Sequence, residues 1–445
     1  MQRLLSESSA DLHKDTNISL FTRILKRTLH ANEVFFSFKE NFCAILEDPK
    51  GAGKQFLVSK AGVSTWLQQG DDAEVFFDIW KGCIQPACCD FPAIQQLIYA
   101  SYEVCGVLEN LPASKTAPPK GLLWLHEPEW SICFDSACHT VYLASRISEQ
   151  QLDEIECLLD GMSCVTSSDE LVTSGVYETS DDYCEAVEKV KEYIRAGDVF
   201  QANIARFWHM DFDKQQLMTL YQHLRRVNAA PFSCFMQADD LTIISASPER
   251  LFSLSADGIA ETRPIAGTRR RSEGDEDAVL RDELLLSDKE CAEHIMLVDL
   301  ERNDLGHVCV PGSVEVNEHM TIEQYSTVQH IVSNVRGRLA EGHDVVDLFQ
   351  AMFPGGTITG CPKVRCMEII HALEHQARGP YTGSIGYIAW DGSADMNILI
   401  RTFWHDGDEL HWAAGAGIVA DSEPEKERVE TEHKAEGLLR ALHHQ

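Results

Sequence analysis

Basic residues are scarce in this chain: 38 Lys and Arg stand against 70 Asp and Glu, for a formal charge of −32. Neutralising a phosphate backbone takes clustered Lys and Arg, so nucleic acid is not expected as a partner. Long apolar runs are missing as well. None approaches the roughly 18–20 residues that span a bilayer, and no membrane role is expected. The opening residues MQRLLSESSADLHKD are too polar for a signal peptide, which leads to the expectation of a cytoplasmic protein. No repeat of 20–50 residues recurs, which argues against solenoids and propellers. The 15 cysteines are odd in number and scattered, and Cys83, Cys88 and Cys89 lack the paired spacing of a zinc knuckle. Free thiols in a reducing compartment are expected.

Several familiar motifs are present only in fragments. Gly51-Ala52-Gly53-Lys54 has neither the upstream Gly nor the following Ser or Thr of a phosphate loop. His126-Glu127 lacks the second His of a zinc helix. Gly415-Ala416-Gly417, expected just after a strand, lacks the third Gly of a dinucleotide fingerprint. A short Gly-rich turn of this kind can still bring backbone N–H groups against a carboxylate.

What is present is the composition of a soluble globular chain, 44% hydrophobic and 24% charged. Residues 1–165 form one region, with short β-like runs at Glu33–Phe38, Gln55–Lys60 and Gly121–His126. A Pro-rich stretch, Leu111–Gly121, reads as a surface loop. A polar stretch at Ser163–Gly175 precedes a second region, residues 176–442. There, Ala186, Val187, Val190, Tyr193 and Ile194 share one helical face, and Gly197 ends a helix over Tyr183–Ala196. Strands are expected at Gln201–Trp208, Ile243–Leu251, Gly386–Trp390, Asn397–Thr402 and Leu410–Ala414. Helices are expected at Asp275–Leu300, Val345–Met352, Pro362–Glu374 and Glu423–Leu442. Without regular βαβ spacing, the pattern favours an α+β fold, a complex two-subdomain sandwich of antiparallel sheets with flanking helices.

Two acidic pairs lie three residues apart within expected helices, Glu290 with Glu293 and Glu427 with Glu430. Like charges at that spacing cost ~0.2–0.5 kcal/mol. One such pair is ordinarily a solvated face, whereas two beside apolar stripes could converge on a cation, and oxygen ligands would select magnesium. Glu249 in ASPER, His330 in YSTVQHIVS, Lys363 in FPGGTITGCPK and Arg401 in NILIRTF are further candidates. An Arg among apolar neighbours needs an anion. A His preceding Ile331 and Val332, as His330 does, is more often a satisfied core residue than a catalyst. Together these residues suggest an enzyme acting on a small polycarboxylate with a divalent metal.

The segments GDVFQANIARF, SASPERLF, TRPIAGT, KECAEHIMLVDLERNDLG, FPGGTITGCPKVRCMEII, GPYTGSIGY, ILIRT and AGAGIVADSEPEKERVET resemble the chorismate-utilising enzymes, in the order that family shows them. They cover about residues 180 to 440, and the first region resembles the family more weakly. The resemblance implies the chorismate-binding fold, with residues 176–442 as the catalytic domain. It implies Mg2+ between Glu293 and Glu430, with Glu290 and Glu427 on its waters. Arg401 and Tyr381 would hold the pyruvyl carboxylate with the backbone of Gly415, Ala416 and Gly417. Thr268, Thr357, Lys434 and Lys363 would complete the pocket. Glu249 would be the general acid, and His330 matches the histidine implicated in pyruvate loss by anthranilate synthases. Gln201 stands where the water-adding members carry a lysine base, which leaves the aminating branches. Ala266 replaces the nucleophilic lysine of well-known aminodeoxychorismate synthases, as in anthranilate synthases. The other motifs look more like the aminodeoxychorismate branch, so amination at ring carbon 4 is the expectation, with anthranilate synthesis as the alternative. The family also implies a separate glutamine amidotransferase subunit as the ammonia source.

Overall fold

The computed structural model describes residues 19–51, 53–85, 91–109, 111–112, 115–162, 171–173, 175–179, 182–270, 275–324 and 328–443. Two large antiparallel sheets dominate it. The first contains twelve strands, among them Phe42–Glu47, Lys54–Ser59, Gln201–Asp211, Phe232–Ala238, Leu241–Ser247, Thr402–Asp406 and Glu409–Ile418. The second contains ten, among them Ile94–Ala100, Arg250–Leu254, Ile265–Arg270, Val328–Arg338, Ser384–Ala389 and Ala394–Asn397. This is the α+β sandwich that the sequence leads one to expect. Both sheets draw strands from both regions of the chain: Phe42–Glu47 pairs with Phe232–Ala238, and Ile94–Ala100 with Ser384–Ala389.

Alternation along the strands builds the layers. Within Phe232–Ala238, Cys234, Met236 and Ala238 enter a core shared with Leu97, Tyr99 and Ile385 of the other sheet. Phe235, between them, faces the opposite way, into a core with Leu220, Leu224, Leu438 and Leu442. The sheets thus meet through one apolar layer, and helices such as Leu217–Val227 and Pro424–His443 cover an outer face. Helices Tyr183–Ala196, Asp288–Gly306, Val345–Met352 and Lys363–Leu373 contribute to a third core. Gly197 ends the first of these with φ 83°, a conformation that favours glycine.

Several local expectations are corrected. Glu33–Phe38 is no strand: all of it but Phe38 belongs to the helix Ala31–Ser37, in which Ala31, Val34 and Phe35 are buried at helical spacing. The expected helix Asp275–Leu300 is two, Asp275–Leu285 and Asp288–Gly306. Ser287 starts the second by accepting the Glu290 N–H at 3.3 Å. Ile243–Leu251 is likewise two strands, interrupted at Pro248 and Glu249. Residues 398–401 are not a strand, because the chain there leaves Ala394–Asn397 in one sheet for Thr402–Asp406 in the other. Gly415–Gly417 lies inside the strand Glu409–Ile418 rather than after it. The Ser163–Gly175 boundary falls largely outside the described residues, as do Cys88 and Cys89. Among the described residues no helix is long and apolar enough to cross a membrane.

Candidate active site

Two crossings between the sheets lie side by side, and they carry Glu249 and Arg401. The chain passes from Leu241–Ser247 in the first sheet to Arg250–Leu254 in the second through Pro248 and Glu249. The other crossing runs through residues 398–401. Backbone bonds fasten them together: Ile398 N–H donates to the Glu249 carbonyl at 3.0 Å and Ala246 N–H to the Arg401 carbonyl at 3.1 Å. The Ser247 hydroxyl donates to the Ile398 carbonyl at 2.5 Å. Arg401 itself has φ 51°, a left-handed conformation uncommon outside glycine. A third segment joins them, since Thr382 N–H donates to the Leu399 carbonyl at 2.8 Å next to Tyr381.

Glu249 is buried, and burial pushes its carboxyl up to about 7. The Thr357 hydroxyl and the charges of Arg401 and Lys434 oppose that shift, so all three lie around the acid. Burial lowers the Arg401 guanidinium, offset in part by Glu249. Lys434 Nζ donates to the Gly415 carbonyl at 3.0 Å and pairs with Glu430 at 2.8 Å. The Tyr381 hydroxyl is buried and lies where a β-carbon on Gly415 would come within 2.7 Å of it. Ala416, between the two glycines, turns its side chain into the other core.

His330 sits across the second sheet from Thr268, one register step from the pairing of Ala266 with Ile331. Its Nδ1 lies 3.2 Å from the Gly267 carbonyl, and burial lowers its pKa, with Arg401 acting in the same direction. The Thr268 side chain lies outside the described residues. Gly267 has φ 61°, and a β-carbon there would lie 2.8 Å from the Glu290 carboxylate, which therefore sits under this strand. Lys363 is held apart from Glu249. Its Nζ pairs with Asp304 at 2.5 Å and donates to the Met352 carbonyl at 3.2 Å. Gln201, Glu293 and Lys363 all line a cavity of about 1230 Å³, with Val419 and Asp421 opposite.

Three residues at the site went unread in the sequence. Tyr183 is buried and raised by burial, then by the charges of Glu427, Tyr381 and Glu430. It thus ties the carboxylates of the last helix to Tyr381. Glu301 is buried in Asp288–Gly306, its carboxyl raised by burial and by Asp304, and it accepts the Gly356 N–H at 3.3 Å. It therefore backs the turn that carries Thr357. Its signal was spacing: Leu297, Glu301 and Asp304 continue the buried face begun by His294. Asn203 is buried on the strand of Gln201.

The acidic pairs supply only oxygen donors, the chemistry that suits magnesium. Among the described residues no three His, Cys, Asp or Glu side chains gather closely enough to hold an ion. Glu427 and Glu430 share the surroundings of Tyr183, and Glu293 lines the cavity that also reaches Val419–Asp421, ahead of their helix.

Comparison with known proteins gives one consistent picture. The family described as chorismate binding enzyme matches residues 44–440. An anthranilate synthase component I-like protein of Synechocystis is 45% identical over 77% of this chain and 72% of its own length. Aminodeoxychorismate synthase component 1 of Bacillus subtilis is 40% identical over 86% of this chain and 84% of its own. The crystal structure of anthranilate synthase component I from Streptococcus pneumoniae has a TM-score of 0.78 and 28% identity, covering 87% of this chain and 92% of that one.

Proposed function

The chain belongs to the chorismate-binding enzyme family, and we propose that within it this protein is component I of an aminodeoxychorismate synthase. It would aminate chorismate at ring carbon 4, with ammonia from a glutamine amidotransferase subunit, to give 4-amino-4-deoxychorismate for folate synthesis. The observation that carries the reading is a buried acid, Glu249, poised near neutrality between two cations, Arg401 and Lys434. A dicarboxylate substrate needs those cations, and a departing hydroxyl needs that acid.

In this reading Arg401 and Tyr381 orient the pyruvyl carboxylate against Gly415–Gly417, with Lys434, Thr357 and Thr268 around the rest. Glu293 and Glu430, supported by Glu290 and Glu427, would hold magnesium, which supplies a template and Lewis acid for the ring carboxylate. Glu249 gives its proton to the hydroxyl oxygen as the C–O bond breaks, and water leaves. Nitrogen bonds to the ring, and the proton it sheds restores Glu249. Gln201 cannot act as a base, so water is not activated, whereas ammonia needs no base to attack. Ala266 has no nucleophile, so ammonia adds without a covalent enzyme adduct.

For carbon 4, the support is the Bacillus subtilis relative, which carries that name and matches along 86% of this chain. Ala266 favours the second reading, anthranilate synthase component I, as do several relatives of that name, including one from Aquifex aeolicus 48% identical over 59% of this chain. A neutral His330 beside Ala266 would then serve pyruvate elimination. Purified protein given chorismate, Mg2+ and ammonium, with and without aminodeoxychorismate lyase, separates them. Product that becomes 4-aminobenzoate only with the lyase is expected. Fluorescent anthranilate and pyruvate without the lyase would replace the first reading by the second.

A further inference from the structure

A second cavity, of about 230 Å³, is walled by the Pro-rich stretch Leu111–Gly121, the short helix Val104–Leu108 and the helix Lys363–Leu373. It is separate from the candidate active site, since Glu249, Arg401, Tyr381 and Lys434 are absent from its wall. Leu111, Leu122, Met367 and Ile370 make much of that wall apolar. Three charged side chains also reach it, Glu103, Glu374 and Arg378. Glu374 and Arg378 neutralise each other through two bonds at 2.8 and 2.7 Å. Glu103 is left over. Its carboxylate accepts two backbone N–H groups, from Arg378 at 2.7 Å and Gly379 at 3.1 Å, and no side-chain cation bonds it among the described residues. Burial pushes its carboxyl up to about 7, so the ionised form is held at a cost. The Tyr102 hydroxyl on the same wall is buried too, and the weak Cys105 thiol is its neighbour rather than a strong partner.

One unpaired negative charge against an apolar wall selects its occupant. An anion is repelled by Glu103. Mg2+ and Ca2+ call for a shell of oxygens that an apolar wall does not supply. A neutral molecule leaves the carboxylate unpaired, and an unpaired buried charge is costly. An ammonium group pairs with the carboxylate through charge-assisted hydrogen bonds, and an apolar body attached to it covers the rest of the wall. The volume lies below the range of drug-sized ligands, so that body is small. We propose that this cavity is a second ligand site, which takes a small primary amine as its ammonium ion on Glu103. The proposal does not rest on the amination reading, because the two sites use different residues.

The probe is benzylamine, titrated calorimetrically into the full chain at pH 8, above the Glu103 value of about 7. Benzyl alcohol and benzoate serve as its neutral and anionic counterparts. Benzylamine should bind once per chain and at least tenfold more tightly than either, the worth of one charge-assisted hydrogen bond. Glu103→Gln keeps the shape and removes the charge, so it should lose at least tenfold in benzylamine affinity. Gly106, also on the wall, has open space at its β-carbon position, with nothing within 4 Å. Gly106→Leu should therefore fold as wild type does, fill the cavity and abolish binding. It carries the test should circular dichroism show Glu103→Gln unfolded. Benzyl alcohol that binds as tightly as benzylamine overturns the proposal. So does benzylamine affinity unchanged in folded Glu103→Gln or in Gly106→Leu, and so does wild-type protein that binds no benzylamine at millimolar concentration. No outcome depends on turnover, so failure of the amination reading leaves the test intact.

Discussion

Two arginines in the core of this protein are treated in opposite ways. Arg378, 1% exposed, is saturated: Glu374 takes two of its bonds at 2.8 and 2.7 Å. The carbonyls of Ile358 and Asn203 and the Thr382 hydroxyl take the others. Arg401 makes no salt bridge or side-chain hydrogen bond among the described residues, and only the charge of Glu249 lies near. Arg378 stacks on Tyr102 and Tyr381, 4.7 and 5.7 Å from their ring centres, and so supports the tyrosine that borders the site. A guanidinium with every donor engaged holds structure together, while one with donors to spare is equipped to take an anion from outside. The same contrast divides the buried carboxyls. Glu47 is gripped by Tyr221 at 2.6 Å and Arg225 at 2.5 Å, whereas burial pushes Glu249 up to about 7.

Removing the acid from the unsaturated region should have the largest effect. Glu249→Gln keeps the shape and loses the proton, so turnover should fall about a thousandfold. Chorismate binding, followed by quenching of tryptophan fluorescence, should change little. Turnover that survives would move the acid to another group and make Glu249 a binding residue only.

The two arginines can be compared directly. Arg378→Ala leaves Glu374 buried and unpaired, which should cost about 3–5 kcal/mol in urea unfolding. Arg401→Ala should cost far less stability, because it strands no partner, and should raise the chorismate KM about a hundredfold. If both lost stability equally, the distinction between a saturated and a waiting guanidinium would collapse.

The candidate site is legible in the sequence where its chemistry is local. Glu290 with Glu293 and Glu427 with Glu430 follow from helical spacing; the last helix formed near its expected bounds, whereas Glu290 and Glu293 lie on the second of the two helices that replace Asp275–Leu300. The sandwich followed from strand patterns without βαβ spacing. What sequence periodicity could not show is where a strand changes sheets. Ile398–Arg401 is apolar enough to read as a continuous strand, and its bend is dictated by Glu249 and Ser247 on a distant segment. Asn203 reads as an ordinary strand residue until Gly415 is placed beside it, more than two hundred residues later. Glu301 has the spacing of the buried face of its helix, but the contact that gives it a place at the site, the Gly356 N–H, comes from 55 residues later. Each omission turns on a non-local contact.

The smallest expected effect tests the carboxyls through pH. Glu249 and Glu103 are both pushed up to about 7 by burial. A folded-state pKa above the unfolded value near ~4.3 means that the folded chain binds the proton more tightly. Stability from these groups is therefore full at acid pH and is lost as pH rises through about 7. Ligand-free protein should be less stable to urea at pH 8.5 than at pH 5.5. Glu249→Gln removes one of the groups that must ionise inside, so it should be more stable than wild type at pH 8.5, on the order of 2 kcal/mol. At pH 5.5 the two proteins should differ much less. Glu103 sharpens the comparison, since its carboxylate oxygens already receive the N–H groups of Arg378 at 2.7 Å and Gly379 at 3.1 Å. Its neutral replacement Glu103→Gln strips an acceptor from the saturated region, so it should destabilise at pH 5.5, where Glu249→Gln does not. An equal offset for the two variants at both pH values would mean that burial alone, and not saturation, governs how this protein holds its inner charges.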